Sequence, residues 1–399
     1  MDINTLINKP EDDLTRDEMQ TLADHYQTMS AKFTAYEQAV KVTLNSIYGA
    51  FGNKWFHFFN IDIAESITLQ GQNAILYSEK ILNKYFQEFW PKDTVVHEHF
   101  NISIKNKLVR PSVVYIDTDS CYVQFEEMYE SIEWLGDNKL PIDKFIMELY
   151  TFRIKDYITK CMAKYAEVTN TDNFLYFDLE TIAYSGIWLA KKKYLQDIAW
   201  EDKLEVDDRY PSLKKIKTIG FYTIQSSTPT LARKHLTEAL KLILSEKPTA
   251  EMLSRLVSFL KTAKKEFKMS NVDEIAFNKR TNNIEKYIVD DTIEFQYGLK
   301  CPPNVKAAGF YNFLMNQNPK YKNKYKMIGN GEKLKLYHCK HNVCEMYAYQ
   351  PGAHPYEIAP QVDYETQFEK SVIDPINRVL SSVGLQRLNR NLIYSSSLF

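Results

Sequence analysis

Two aspartates flanking a single residue, inside a run of β-branched and aromatic residues, are the first candidates for chemistry in this 399-residue chain. They lie in Tyr115-Ile116-Asp117-Thr118-Asp119-Ser120, within the stretch VVYIDTDSCYVQF, which reads as a hairpin with an acidic tip. Two carboxylates placed this close repel unless something positive sits beside them. Mg²⁺, hard and oxygen-seeking, is the usual solution, held through one or two carboxylates plus substrate phosphates. An exposed acidic turn is the alternative on these residues alone. A second pair of alternating carboxylates follows in Phe177-Asp178-Leu179-Glu180.

Lys41, Asn45 and Tyr48 stand at i, i+4 and i+7, so on a helix all three project from one face. A cation, an amide and a phenol on one face can hold a triphosphate and a sugar; a plain amphipathic helix end, stopped at Gly49, is the alternative. Lys191-Lys192-Lys193-Tyr194 is a basic run beside an aromatic, suited to a phosphate backbone or else to a solvated face.

These groups need elements to position them. Residues 11–45 have helical composition, with Thr15 and Glu18 spaced as a capping box. Phe33, Tyr36, Val40, Leu44 and Ile47 recur at helical spacing, and Gly49 and Gly52 close the helix. A second helix runs from about Ile63 to Phe89, ended by Pro91. Strand character appears at His97–Ile104 and Ser112–Phe125, then at Phe174–Ile182, Ile187–Trp200 and Lys215–Ile224. Helices are expected at 142–167, from Thr228-Pro229 to about 245, over 249–269 and near 363–384. Strands in the middle and helices at both ends predict an α+β fold.

Formal net charge is −1, so a polyanion partner requires lysines concentrated locally. From Lys300 to Lys340 nine lysines (300, 306, 320, 322, 324, 326, 333, 335, 340) face one acid, Glu332, with Tyr311, Tyr321, Tyr325 and Tyr337 interleaved. That is the pattern of a surface that tracks duplex DNA, a solvated lysine-rich loop being the other reading. Ser226, Ser227 and Thr228 precede a helix start, which favours phosphate. Five scattered cysteines (Cys121, Cys161, Cys301, Cys339, Cys344) fit a reducing compartment. His338-Cys339-x-His341-x-x-Cys344 is packed too closely for the usual paired zinc ligands. The polar N-terminus lacks a signal-type apolar segment, and no run of 18 apolar residues would span a membrane, so a soluble intracellular protein is expected.

Taken in order, these pieces resemble the signatures of family B DNA polymerases, especially those of tailed phages. Lys41 to Gly49 matches the fingers-helix pattern K-x-x-x-N-S-x-Y-G in full. Tyr115 to Ser120 matches the palm pattern Y-G-D-T-D-S with Ile116 in place of Gly, and Lys191 to Tyr194 matches K-K-R-Y with Lys193 in place of Arg. Gln225-Ser-Ser-Thr-Pro229 and Lys300-Cys-Pro302 look like parts of the phage-type thumb. The resemblance implies fingers at 1–52, palm at 53–222 and thumb with a C-terminal tail at 223–399. It implies template-directed deoxynucleotidyl transfer with two Mg²⁺ ions, acting on primer-template DNA and deoxynucleoside triphosphates. By motif position Asp119 and Asp117 are metal ligands, with Glu180 an accessory carboxylate. Lys41 contacts the triphosphate, and Asn45, Tyr48 and Gly49 line the nascent pair. Thr118 lies near the primer end; Lys191, Lys192, Lys193 and Tyr194 grip the duplex; Ser226, Ser227, Thr228, Lys300 and Lys306 add DNA contacts. Leu398 and Phe399 resemble the start of a sliding-clamp tail.

The family's first palm motif, D-x-x-S-L-Y-P-S, and its exonuclease domain have no counterpart in these 399 residues. The expectation is therefore the C-terminal subunit of a split phage polymerase, working in the cytoplasm of an infected bacterium. A partner chain would supply the exonuclease domain and the remaining metal-binding aspartate. A non-catalytic DNA-binding or clamp-tethering subunit is the rival, against which the retention of Lys41, Asn45, Asp117 and Asp119 together argues.

Overall fold

A capping box starts the longest helix. Thr15 Oγ1 accepts from the Glu18 backbone N–H at 3.4 Å, and Glu18 Oε2 accepts from the Thr15 N–H at 2.9 Å, satisfying two donors that a helix start leaves open. The computed structural model describes residues 3–10, 13–137, 139–202, 215–245, 249–287, 301–317, 319–340 and 344–394.

In chain order the first elements are α1 (Ile3–Ile7), α2 (Arg16–Gly52), α3 (Ile61–Lys84), α4 (Thr94–Phe100), β1 (Ile102–Ile104), β2 (Val113–Asp117) and β3 (Ser120–Val123). Next come α5 (Glu126–Glu130), β4 (Ile132–Trp134), α6 (Ile142–Leu149), α7 (Lys155–Thr169), β5 (Thr181–Ala190), β6 (Lys193–Glu201) and β7 (Lys215–Ile219). After them stand α8 (Thr230–Ser245), α9 (Ala250–Met269), α10 (Val272–Ile275), β8 (Phe277–Arg280), α11 (Pro303–Asn316) and α12 (Pro319–Lys324). The last are β9 (Lys333–His338), β10 (Met346–Tyr349), α13 (Tyr364–Phe368), α14 (Asp374–Ser382) and α15 (Arg390–Tyr394). The strands form small antiparallel sheets, β1-β4, β2-β3, β5-β6-β7 and β10-β9-β8, so the class is α+β.

The chain divides into two compact units, Met1–Lys92 with Leu108–Gln124, and Asp93–Lys107 with Phe125–Phe399. In the first, α3 buries Ala74, Ile75, Ser78, Ile81 and Leu82, a stripe at helical spacing. It packs on both strands of the β2-β3 hairpin. A π-helical turn at Tyr85–Phe89 and a 3₁₀ turn at Trp90–Lys92 extend the helix, and Tyr85, Phe86 and Trp90 are buried there. The apolar stripe read along α2 forms as a helix but stays exposed, Phe33 at 60% and Leu44 at 62%.

In the second unit the core is built by α8, α9, α11, α13 and α14 with the β10-β9-β8 sheet. Leu236, Leu260, Phe267, Tyr311, Tyr347 and Phe368 are fully buried in it. Each large apolar side chain buried there stabilises the fold by roughly 1.5–3 kcal/mol. Gln367, also fully buried, crosses this core: its Nε2 donates to Ile275 O at 2.6 Å and its Oε1 accepts from His338 N–H at 2.9 Å.

Several expected bounds need correction. Residues 97–100 are helical, because α4 buries Val96 and Phe100 at i and i+4 and ends on Asn101 in the left-handed region (φ 51°). Residues 174–180 lie outside any strand, and β5 begins at Thr181. The stretch read as a strand at Ile187–Trp200 is broken by a turn at Lys191 and Lys192, and the one read at Lys215–Ile224 ends at Ile219. By contrast, α2 closes at Gly52 as expected, with Gly49 still helical. The other long helices fall where the sequence puts them, with π-helical turns inserted at Tyr150–Ile154 and Glu369–Ile373.

Candidate active site and nucleic-acid interface

The acidic pair sits at the tip of the β2-β3 hairpin. Asp117 ends β2 opposite Ser120, and Thr118 and Asp119 form the turn. The turn is tight. Asp119 N–H reaches back to Asp117 O at 2.6 Å, the i to i+2 closure of a γ-turn, with Thr118 at φ 56° between them. A β-branched residue in that region is strained, at a cost of about 1–3 kcal/mol. Thr118 Oγ1 donates to Asp117 Oδ1 at 3.1 Å, and Ser120 Oγ donates to Asp117 O at 3.1 Å, which fixes the first carboxylate against the turn. Asp119 is exposed and Asp117 half-buried.

The strands are unequal. The register shifts between Val113 and Tyr115, leaving Val114 as an extra residue, 49% exposed. Beyond it Tyr115 and Tyr122 face each other across the strands at 5.5 Å between rings. Ile116, which stands where the resembled motif has Gly, pairs with Cys121. Burial, with the Glu79 carboxylate adding to it, pushes the Cys121 thiol up to about 12, so this neighbour of the carboxylates is an inert thiol.

The donor set accommodates a magnesium ion as far as it goes: two hard carboxylates at one tip, within the one or two that magnesium takes from protein. Among the described residues no group of three or more His, Cys, Asp or Glu side chains could hold a metal. A site for two ions needs oxygen donors beyond these two.

Lys41, Asn45, Tyr48 and Gly49 all lie on α2, exposed, in the same compact unit as the hairpin. The Tyr48 hydroxyl is 3.0 Å from Thr68 Oγ1 on α3, and Thr68 Oγ1 itself donates to Ala64 O at 2.9 Å. Thr68 therefore spends its proton on its own helix and accepts the one from Tyr48. No sequence signal marked Thr68, since its partner stands 20 positions away.

The remaining candidates belong to the second unit. Lys191 and Lys192 are the turn between β5 and β6, with Lys192 at φ 57°. Gly220 makes that turn possible: a Cβ there would lie 2.1 Å from Lys192 O. The three lysines are exposed, whereas Tyr194 is 6% exposed and stacks with Trp188, which gives its ring a core position instead of an open surface. Glu180 is exposed and pairs with Lys217 at 3.5 Å, while Asp178 pairs with Lys155 at 2.8 Å. Ser226 is exposed, Ser227 half-buried and Thr228 buried, ahead of α8. Lys306 is half-buried on α11.

The lysine-rich segment is less open than its composition suggests. Lys324 pairs with Glu357, Lys326 with Glu332 at 2.7 Å, and Lys335 donates to Asp273 O at 2.6 Å. Lys300, His341, Leu398 and Phe399 lie outside the described residues. Cys339 and Cys344 are buried, and burial pushes the Cys339 thiol up to about 12. No described helix is long and apolar enough to cross a membrane.

Comparison with known proteins bears on the same residues. The family model for DNA polymerase family B matches residues 13–138, which span α2, α3 and the acidic hairpin. The chain is 30% identical over 295 residues to the DNA-directed DNA polymerase of Escherichia phage RB69, covering 70% of this chain and 29% of that protein. It is 25% identical over 366 residues to the DNA-directed DNA polymerase of Enterobacteria phage T4, covering 86% of this chain and 37% of the relative. A DNA polymerase of Choristoneura biennis entomopoxvirus is 24% identical over 316 residues. The chain thus spans about a third of the length of these relatives.

Proposed function

We propose a catalytic role in DNA synthesis for this chain, which belongs to the phage-type DNA polymerases of family B. The reaction is template-directed transfer of a deoxynucleotide to a primer end. One observation carries the reading: the Lys41-Asn45-Tyr48 face and the Asp117–Asp119 tip share a compact unit, and the family model's match over residues 13–138 takes in both.

The residues divide the work by their chemistry. Lys41 neutralises triphosphate charge, Asn45 offers an amide to the nucleotide, and Tyr48 with Gly49 lines the new base pair. Asp117 and Asp119 would hold magnesium from the palm side. When bound, the two metal ions stabilise the attacking and leaving oxygens of the transfer. Thr118 stands near the primer end. Lys191, Lys192 and Lys193, on their tight turn, meet the DNA backbone, aided by Ser226, Ser227, Lys300 and Lys306. Tyr194 and Thr228 support these contacts from the core. Fingers at 1–52, palm at 53–222 and thumb at 223–399, ending in a clamp-binding tail at Leu398 and Phe399, are the assignments that go with this reading. Its setting is the cytoplasm of an infected bacterium.

Two carboxylates do not make a two-metal site, so the reading requires further acidic residues from polypeptide outside these 399 residues, carrying the first palm motif and an exonuclease domain. The exposed apolar side chains of the first unit support such a partner. Trp55 is 84%, Phe58 66% and Val40 59% exposed, more than a surface facing water alone normally shows.

Primer extension by the chain co-expressed with a polypeptide bearing those two elements tests the proposal. Extension by the pair, lost with Asp119→Ala, is the expected result. Wild-type extension rates in the Asp119→Ala pair would refute the catalytic role, and full activity of the chain alone would refute the need for a partner.

A further inference from the structure

The β2-β3 hairpin is a two-stranded sheet, and such a ribbon is marginal in water without the helix it packs on, here α3. Its tip is strained at Thr118 and its first strand is irregular at Val114, so pairing alone does not hold the carboxylates to one geometry. A side chain of α3 meets the root of the strand. Asn83 Oδ1 accepts the Val113 N–H at 2.9 Å, immediately before the irregular residue. The donor is a backbone N–H, which leaves no doubt that the oxygen of the amide faces it.

Asn83 is well placed to act as a fixed point. It is half-buried in the last turn of α3, directly before the buried Tyr85, Phe86 and Trp90. The same helix carries Thr68, which receives the Tyr48 hydroxyl. From Thr68 to Asn83 the helix rises about 22 Å as one rigid element. One helix thus tethers the nucleotide-facing phenol at one point and the acidic hairpin at another.

We infer that Asn83 is a positioning residue for Asp117 and Asp119, fixing the root of β2 so that both carboxylates present magnesium-competent geometry. The inference rests on the polymerase reading proposed above. Asp117 lies four residues beyond Val113, about 13 Å along the strand, so play at the root is carried to the tip. Magnesium demands near-ideal octahedral geometry and tolerates little such play. Groups hydrogen-bonded directly to metal ligands change metal affinity by about 10–100-fold when removed, and a tether at the strand root, four residues from the ligand, acts at the lower end of that range.

The test uses the chain assembled with its completing polypeptide. Asn83→Leu keeps the bulk and removes the acceptor; Asn83→Asp keeps an oxygen at the same place; Asn83→Ala serves if leucine does not fit. Three quantities are measured: Mn²⁺ binding by electron paramagnetic resonance, the Mg²⁺ concentration for half-maximal primer extension, and thermal melting. Asn83→Leu and Asn83→Ala are expected to weaken Mn²⁺ binding and raise the Mg²⁺ requirement about tenfold, with Asn83→Asp within about threefold of wild type. Activity lost in proportion to unfolding, with the Mn²⁺ and Mg²⁺ midpoints unmoved, overturns the inference. So does failure of Asn83→Asp to restore them. A wild-type assembly that binds no Mn²⁺ and extends no primer overturns the polymerase reading itself, an outcome distinct from either.

Discussion

Gly49→Ala separates what α2 needs to fold from what it needs to work. Gly49 has helical backbone three residues before the end of α2, is exposed, and an added Cβ meets nothing within 4 Å. Nothing in the fold requires glycine there, and glycine inside a helix costs about 0.5–1 kcal/mol relative to alanine. Alanine should therefore stabilise the first unit by roughly 0.5–1 kcal/mol, toward the lower figure because the position is near the helix end. For a unit of this size that is a rise of roughly 2–3 °C in its melting transition. Gly71, in the middle of α3 and equally open, is the benchmark, with about 1 kcal/mol expected from Gly71→Ala. The functional reading predicts the opposite sign for catalysis. A methyl beside Tyr48 obstructs the close approach of the new base pair, and misplacing reactants by about 1 Å can cost on the order of 100-fold in rate. Single-turnover incorporation by the assembled enzyme, beside melting of the chain, reads both effects. A variant that melts lower than wild type refutes the helix argument; one that incorporates at the wild-type rate refutes the assignment of Gly49 to the base pair.

Other parts of the structure make equally definite statements. Gln367→Leu leaves the Ile275 carbonyl and the His338 N–H buried without their partner, and should destabilise the second unit by about 2–5 kcal/mol in chemical denaturation; a loss below about 1 kcal/mol would mean that the core relaxes around them. The Lys9 ammonium, helped by the Thr15 backbone N–H, holds the Glu18 carboxyl at about 2, so its contribution is present above the unfolded carboxyl's pKa and drains away as pH falls through about 2. Carbon-13 titration of Glu18 with an ordinary glutamate midpoint would contradict this. Replacing Lys191, Lys192 and Lys193 together by alanine should lower the slope of log K against log salt for DNA binding by about 2–3, and an unchanged slope would place the backbone contacts elsewhere.

What the sequence disclosed was local, and what it concealed was long-range. The capping box at Thr15 and Glu18 involves residues three apart, and the two-residue turn at Thr118 and Asp119 is written in adjacent residues. Both could be read directly. The family resemblance then assigned chemistry to positions that geometry alone left open, such as Lys41. By contrast, the burial of Tyr194 follows from Trp188 across a hairpin, and the engagement of Lys324 and Lys335 depends on Glu357 and Asp273, 33 and 62 positions away. Composition reports such lysines as available charge because it carries no information about distant acceptors. Asn83 was invisible for the same reason, its partner standing 30 positions along the chain. Phe174 to Glu180 looked like a strand because its residue types suit one, but β propensity expresses packing against neighbours, and these residues lie outside the sheets described.

The tyrosines in the core of the second unit make it report on itself optically. Burial raises Tyr311 to about 12 and moves Tyr337, Tyr347 and Tyr349 upward as well, so their phenols stay protonated through the range where exposed tyrosines ionise. Because an unfolded phenol ionises near pH 10, alkali favours opening of this core, and the phenolate absorbance gained on opening comes from these rings together. Ultraviolet absorbance in strong base thus follows the integrity of this region without any label or introduced probe.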